Sequence, residues 1–123
     1  MVLEKERKIP DKVLGTLGLA MRAGKLVSGE FMTEKAVKTG KAFLVIVAED
    51  ASENTKKNFR DMCSWYKVPL RTGPDRETLG HAIGQEMRVS VAVTDENFAA
   101  AITGSEMTKD ENKGGSEYGD RTE

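Results

Sequence analysis

Two glycines, two lysines and the adjacent pair Phe31-Met32 crowd one short stretch of this chain, Gly24-Lys25-Leu26-Val27-Ser28-Gly29-Glu30-Phe31-Met32-Thr33-Glu34-Lys35. A helix starting after Gly29 would point unpaired N–H groups and a partial positive charge outward. With Lys25, Lys35, Lys38 and Lys41 around it in sequence, that tip could hold a phosphate. Phe31 and Met32 fall in the helix's first turn, and an exposed aromatic or methionine beside lysines can stack on an unpaired base. A plainer reading stands beside this one. Gly29 then only makes a turn, the lysines coat a solvated face, and Phe31 and Met32 pack inward. Periodicity and composition taken alone favour the plainer reading.

Other side chains offer chemistry less convincingly. Glu49-Asp50 ends an apolar run, a place where acidic pairs can bind magnesium or accept a phosphoryl group. No second acidic cluster lies nearby, so Asp50 or Ser52 is expected to cap the next helix instead. Cys63 with His81 as base would make a nucleophile, but Cys63 lies on the apolar side of a helix and reads as a buried structural thiol. A single cysteine and a single histidine allow no internal disulfide and no usual zinc set. Phosphate loops, nucleophile elbows and zinc signatures do not occur. The expectation is therefore a non-enzyme without cofactor, metal or small-molecule substrate. Gly84-Gln85-Glu86-Met87-Arg88 mixes an amide, two charges and a flexible apolar side chain. It reads either as an RNA-touching loop or as an ordinary connection.

The elements that must position these groups follow from periodicity. Val13, Leu14, Leu17, Ala20 and Met21 recur at helical spacing from Asp11, with Gly24 to end the helix. Leu26-Val27 is a short strand. Ser28-Gly29 caps a second helix over 30–39, closed by Gly40. Ala42 to Ala48 is an unbroken apolar strand, the pattern of a strand covered on both faces. Ser52 opens a helix with Phe59, Met62, Cys63 and Tyr66 at inward spacing. A short strand at 68–71, a helix capped by Asp75 and running to about 83, a strand at 89–93, and a last helix capped by Asp95 with Phe98 and Ile102 complete the order. This alternation predicts an α/β protein, a three-layer α/β/α sandwich around a small mixed sheet of about four strands.

Length and composition agree. The chain has 123 residues, 38% hydrophobic and 32% charged, enough for one compact core. The longest apolar run is far short of the roughly 20 residues that span a bilayer, so no membrane association is expected. Residues 1–10 alternate charges without a signal-like apolar segment and read as a flexible leader; a cytoplasmic location follows. From 104 to 123 the chain is polar, Gly-rich and acidic, and is expected to be disordered. Residues 1–102 carry 16 Lys+Arg against 14 Asp+Glu, a charge of +2, while 103–123 carry 3 against 6, a charge of −3. A mildly basic domain thus lies under a formal total of −1, and RNA affinity must come from local placement of charge.

Several segments in unbroken order resemble a known family. They are Leu17-Gly18-Leu19-Ala20-Met21-Arg22-Ala23-Gly24-Lys25, Ser28-Gly29 onward to Gly40, Leu44-Val45-Ile46-Val47-Ala48-Glu49-Asp50-Ala51, Tyr66-Lys67-Val68-Pro69, Leu79-Gly80-His81-Ala82-Ile83-Gly84, and Val91-Ala92-Val93-Thr94-Asp95-Glu96-Asn97-Phe98-Ala99. Together, over 13–102, they resemble the ribosomal protein L7Ae/L30e family, and within it the bacterial YlxQ-like branch. The resemblance implies an RNA-binding domain over 11–103 that contacts kink-turn or related structured RNA, ribosomal or otherwise, with the ribosome as a further partner. It implies contacts from the tip of the second helix and the loop before the last strand, so that, with the flanking Lys25 and Lys38 added for their charge near the tip, the candidate contacts are Lys25, Gly29, Glu30, Phe31, Met32, Lys35, Lys38, Gln85, Glu86, Met87 and Arg88. Asp50 and Ser52 would help line a pocket for an extruded base. Where the family usually has Gly-x-Asn-Glu-x-x-Lys, this chain keeps Gly29 and Lys35 but has Phe31 and Met32 for the Asn-Glu pair, and so lacks the donors and acceptors that read base edges. The alternative is a protein-interaction module using an apolar patch of Phe31, Met32 and Met87.

Overall fold

The computed structural model describes residues 7–106. Along the chain run β1 (Arg7–Lys8), a 3-10 turn (Asp11–Val13), α1 (Leu14–Arg22), β2 (Leu26–Ser28), α2 (Glu30–Lys38), β3 (Leu44–Ala48), α3 (Glu53–Tyr66), β4 (Leu70–Gly73), α4 (Arg76–Ala82), β5 (Ser90–Val93) and α5 (Glu96–Glu106). The strands form one mixed sheet of order β1-β4-β3-β5-β2. β4 runs parallel to both β1 and β3, while β5 is antiparallel to both β3 and β2.

β3 explains the layering. All five of its residues are buried, and alternation sends them to opposite faces. Leu44, Ile46 and Ala48 join a core with Val13, Leu17, Leu79, Val91, Val93 and Ile102, under α1, α4 and α5. Val45 and Val47 join Ala36, Val37, Phe59, Cys63 and Ala92, under α2 and α3. Each fully buried aliphatic side chain here contributes roughly 1.5–3 kcal/mol. The three-layer sandwich predicted from the alternation of elements is the fold observed.

Differences in detail have local causes. Among the described residues the sheet has five strands, not four. Arg7 and Lys8, assigned by the sequence to the flexible leader, pair with Arg71 and Thr72 at its edge. Two exposed cations carry no strand signal. What fixes them is buried Ile9, whose N–H donates to the Thr72 carbonyl at 2.8 Å, and the Lys8 Nζ–Glu49 Oε1 ion pair at 2.8 Å. In α3, Phe59 and Cys63 are buried as expected, but Tyr66 is exposed, because the helix ends there on Lys67, which has φ 61°. Ser52 caps α3 by accepting from the Thr55 N–H at 3.1 Å. Asp75 does not cap α4 with its side chain; Asp50 Oδ1 accepts the Arg76 N–H at 2.9 Å instead. Asp95 does cap α5, its Oδ2 accepting from the Phe98 N–H at 2.9 Å. α5 extends to Glu106, so the first three residues of the expected acidic tail are helical, and the rest lies outside the described residues, as do residues 1–6.

Candidate nucleic-acid interface

β2 and β5 are neighbours although far apart in sequence, with Ser28 opposite Val91. The pairing brings the β2–α2 junction and the 84–89 connection to the same end of the sheet. Gly29 makes the turn into α2 with φ 94° and ψ 153°, a conformation open essentially to glycine alone. Its N–H donates to the Ser90 carbonyl at 2.9 Å, and its carbonyl accepts the first helical bond, from the Thr33 N–H, at 2.9 Å. Gly29 therefore has no amide left for a phosphate. The N–H groups of Glu30, Phe31 and Met32 precede the first helical bond and are the outward-facing donors of the helix tip. Ser28, predicted as part of the cap, does not cap the helix.

Beneath the tip, Thr33 and Ser90 are both fully buried, and the Ser90 hydroxyl donates to Thr33 Oγ1 at 3.3 Å. Above it the side chains are open. Phe31 is 75% exposed and Met32 41%, and across from them Met87 is 58% exposed. The inward packing that composition favours for Phe31 and Met32 is not what the structure shows. Thr33, Ala36 and Val37 supply the buried face instead, so Phe31 and Lys35, four residues apart, share the exposed side.

Arg88 joins the two pieces. Its Nε donates to Ser28 Oγ at 3.0 Å, Nη1 to the Met87 carbonyl at 2.8 Å and Nη2 to Gln85 Oε1 at 3.1 Å. All three acceptors are neutral, so the guanidinium charge is left uncompensated by them. The Arg88 N–H donates to the Arg76 carbonyl at 3.1 Å, and the Arg76 guanidinium reaches Asp50, Nη2 to its carbonyl at 2.7 Å and Nε to Oδ2 at 3.4 Å. The loop also rests on Gly80. A Cβ there would fall on the Glu86 carbonyl, 2.6 Å from its carbon and 3.0 Å from Met87 Cα.

The sequence-predicted residues therefore divide. Gly29, Glu30, Phe31, Met32, Lys35, Gln85, Glu86, Met87 and Arg88 belong to one end of the molecule. Asp50 and Ser52 lie at the same sheet end, but Asp50 is engaged by Arg76 and Ser52 by Thr55. Lys25 is at the opposite end of β2, about 13 Å from Gly29 by strand rise, where its carbonyl accepts the Thr94 N–H at 2.9 Å. Lys38 sits two turns along α2 and donates to Glu34 Oε2 at 2.7 Å; that hydrogen bond and the carboxylate charge hold its amine above the ordinary lysine value. Arg76 was not singled out from sequence, since its partners Asp50 and Arg88 are distant along the chain. Cys63 and His81 lie on opposite sides of the sheet, in α3 and α4, which separates the nucleophile–base pair considered above. Among the described residues no group of three His, Cys, Asp or Glu could hold a metal, and no helix is long and apolar enough to cross a membrane.

The model of the Ribosomal protein L7Ae/L30e/S12e/Gadd45 family matches residues 11–103. The chain belongs to this family. Among curated relatives it is similar to the RNA-binding protein YlxQ of Bacillus subtilis (strain 168), 52% identical over 83 residues that cover 68% of this chain and 83% of the relative. It is also similar to RNA-binding protein YlxQ of Enterococcus faecium, 42% identical over 88 residues, 72% of this chain and 84% of the relative. These relatives place it in the YlxQ-like branch of the family. Among solved structures, a Bacillus halodurans protein of unknown function superposes with a TM-score of 0.73 at 40% identity, covering 76% of this chain and 95% of that one. The Giardia lamblia 15.5kD RNA binding protein superposes with a TM-score of 0.67 at 23% identity, over 76% and 83% of the two chains, and shares the fold.

Proposed function

We propose that this chain is a non-catalytic, cytoplasmic RNA-binding protein, associated with the ribosome or with translation or transcription, that grips folded, kink-turn-like RNA at one end of its sheet. The observation that carries the reading is the exposure of Phe31, 75%, in the first turn of a helix whose leading amides face outward. A lone exposed aromatic needs no explanation, and Trp65 on α3 is as open; what sets Phe31 apart is that Met32 and Met87 are exposed at the same end of the sheet, and grouped apolar exposure marks an interaction site. The helix tip and Lys35 supply phosphate contacts, Phe31 and Met32 stack or wedge against a base, and Met87 closes from the neighbouring loop. The names carried by the two YlxQ relatives support RNA as the ligand class. With Phe31 and Met32 where the family usually has Asn and Glu, base contact here is apolar rather than read by hydrogen bonds.

The test is a titration of a kink-turn stem-loop and a matched plain duplex at several salt concentrations. Phe31→Ala should cost about 1–3 kcal/mol of binding, the worth of one stacked base, and leave thermal stability intact because the side chain is exposed. Lys35→Ala should lower the salt slope by about one phosphate contact. Binding that ignores both substitutions would reject this surface. The exposure of Phe31, Met32 and Met87 together also favours a second reading, a protein-interaction module; a partner that stays bound through nuclease treatment and is released by Phe31→Ala would select it.

A further inference from the structure

We propose that Arg88 is a positioning residue, a latch that fixes the 84–89 connection against the β2–α2 junction, which strand pairing has already brought to the same end of the sheet, and so sets the spacing of one binding site. The proposal rests on the RNA-binding reading above and changes the role of Arg88 within it. The resemblance places Arg88 among the residues that touch RNA, yet three of its five guanidinium N–H groups, one on each nitrogen, donate within the protein. One bond crosses to the helix junction, at Ser28 Oγ, and two return to its own loop, at the Met87 carbonyl and Gln85 Oε1. That geometry uses donors on three nitrogens of one rigid plane, a fork that the single, flexibly held nitrogen of a lysine does not reproduce.

The rest of the loop explains why a latch is required. Its main chain is held at its ends, by the Gln85 N–H to Gly80 carbonyl bond at 2.8 Å, the Arg88 N–H to Arg76 carbonyl bond at 3.1 Å and the Ala48 N–H to Val89 carbonyl bond at 2.7 Å. Each of these ties the loop to α4 or β3, and none to α2. The Gly29 N–H to Ser90 carbonyl bond already joins the first residue of β5 to the helix tip, and the side-chain bond from Arg88 to Ser28, 60 residues earlier in the chain, carries that link into the loop itself. Glu86 and Met87, whose exposed side chains would face the RNA, lie between Gln85 and Arg88. Holding those two residues at a fixed distance from Phe31 and Met32 removes an ordering cost that binding would otherwise carry.

The experiment compares wild type, Arg88→Lys, Ser28→Ala and the double variant by kink-turn titration across salt concentrations, with amide hydrogen exchange of residues 85–89 in the RNA-free proteins. Arg88→Lys keeps the charge and loses the geometry. It should weaken binding about tenfold, the order of cost for re-ordering a few loop residues, with a salt slope equal to wild type and faster exchange across 85–89. Ser28→Ala, a change small enough to leave the fold intact, should move both readouts the same way by less and add little in the double variant, because the two share one bond. If Arg88→Lys binds like wild type, the latch is overturned, whether or not exchange accelerates. If affinity falls while exchange is unchanged, Arg88 touches RNA directly and the latch is again overturned. A wild type that shows no salt-dependent binding rejects the RNA reading itself, and loop exchange in Arg88→Lys then reports the contact separately.

Discussion

Replacing Gly80 with alanine isolates the seat of the interface loop in one methyl group. In the interior of α4, glycine to alanine ordinarily stabilises by roughly 0.5–1 kcal/mol through helix propensity. Here the added carbon would land on the Glu86 carbonyl, with that residue's carbonyl carbon at 2.6 Å and Met87 Cα at 3.0 Å. The obstacle is main chain, which cannot swing aside like the end of a side chain, so the cost belongs at the upper end of the roughly 1–3 kcal/mol typical of overpacking. The net expectation is a loss of about 2 kcal/mol, or a fall in Tm of roughly 8–16 °C for a domain of this size. Calorimetry and urea titration measure it, and Gly15→Ala serves as control, since a Cβ at Gly15 meets nothing within 4 Å. Because the displaced residues include Met87, Gly80→Ala should also weaken RNA binding at the proposed surface. A Gly80→Ala protein as stable as wild type, or more so, would show that the loop does not rest on the helix as described.

Two further outcomes follow from buried and exposed polar pairs. Thr33→Val should destabilise by about 1–3 kcal/mol in urea titration by leaving the Ser90 hydroxyl buried without its partner, and adding Ser90→Ala should recover much of that loss. Lys38 is held above its ordinary 10.5, first by its hydrogen bond to Glu34 and then by that carboxylate's charge. Its raised value in the folded state means the contribution is whole below 10.5 and is lost as pH climbs through the folded value. The stability difference between wild type and Lys38→Met should accordingly be constant at neutral and mildly alkaline pH and shrink above 10.5.

What could be read from the sequence was whatever neighbouring residues decide. The apolar run ending at Ala48 announced a strand covered on both sides, and Gly24, Gly40 and Gly84, all with positive φ, marked the helix ends. What escaped were arrangements set by pairing between distant segments. β1 is two charged residues held by a sheet edge formed some 60 positions later. Of the two caps the sequence offers for α3, Asp50 and Ser52, Ser52 fills the role, and Asp50 instead caps α4, 26 residues on. The layout of the proposed surface was half legible. The glycine-led tip and its loop were identified as separate candidates, but linear proximity also drew in Lys25, which strand direction carries to the far end of the sheet, and Lys38, which helical phase and Glu34 turn to other use. Arg88 enters as part of the loop before the last strand, and its hydrogen bonds to Ser28 and Gln85 have no local signature.

The antiparallel pairing of β2 with β5 has a consequence for synthesis. β2 is an edge strand whose partner in the sheet is β5, and the turn into α2 is tied down by the carbonyl of Ser90. A ribosome that has released only the first 80 or so residues has made the helix tip but not the strand that aims it. Nascent or prematurely ended chains would therefore be poor competitors for RNA, and the finished protein would acquire its grip almost at the moment its last strand docks.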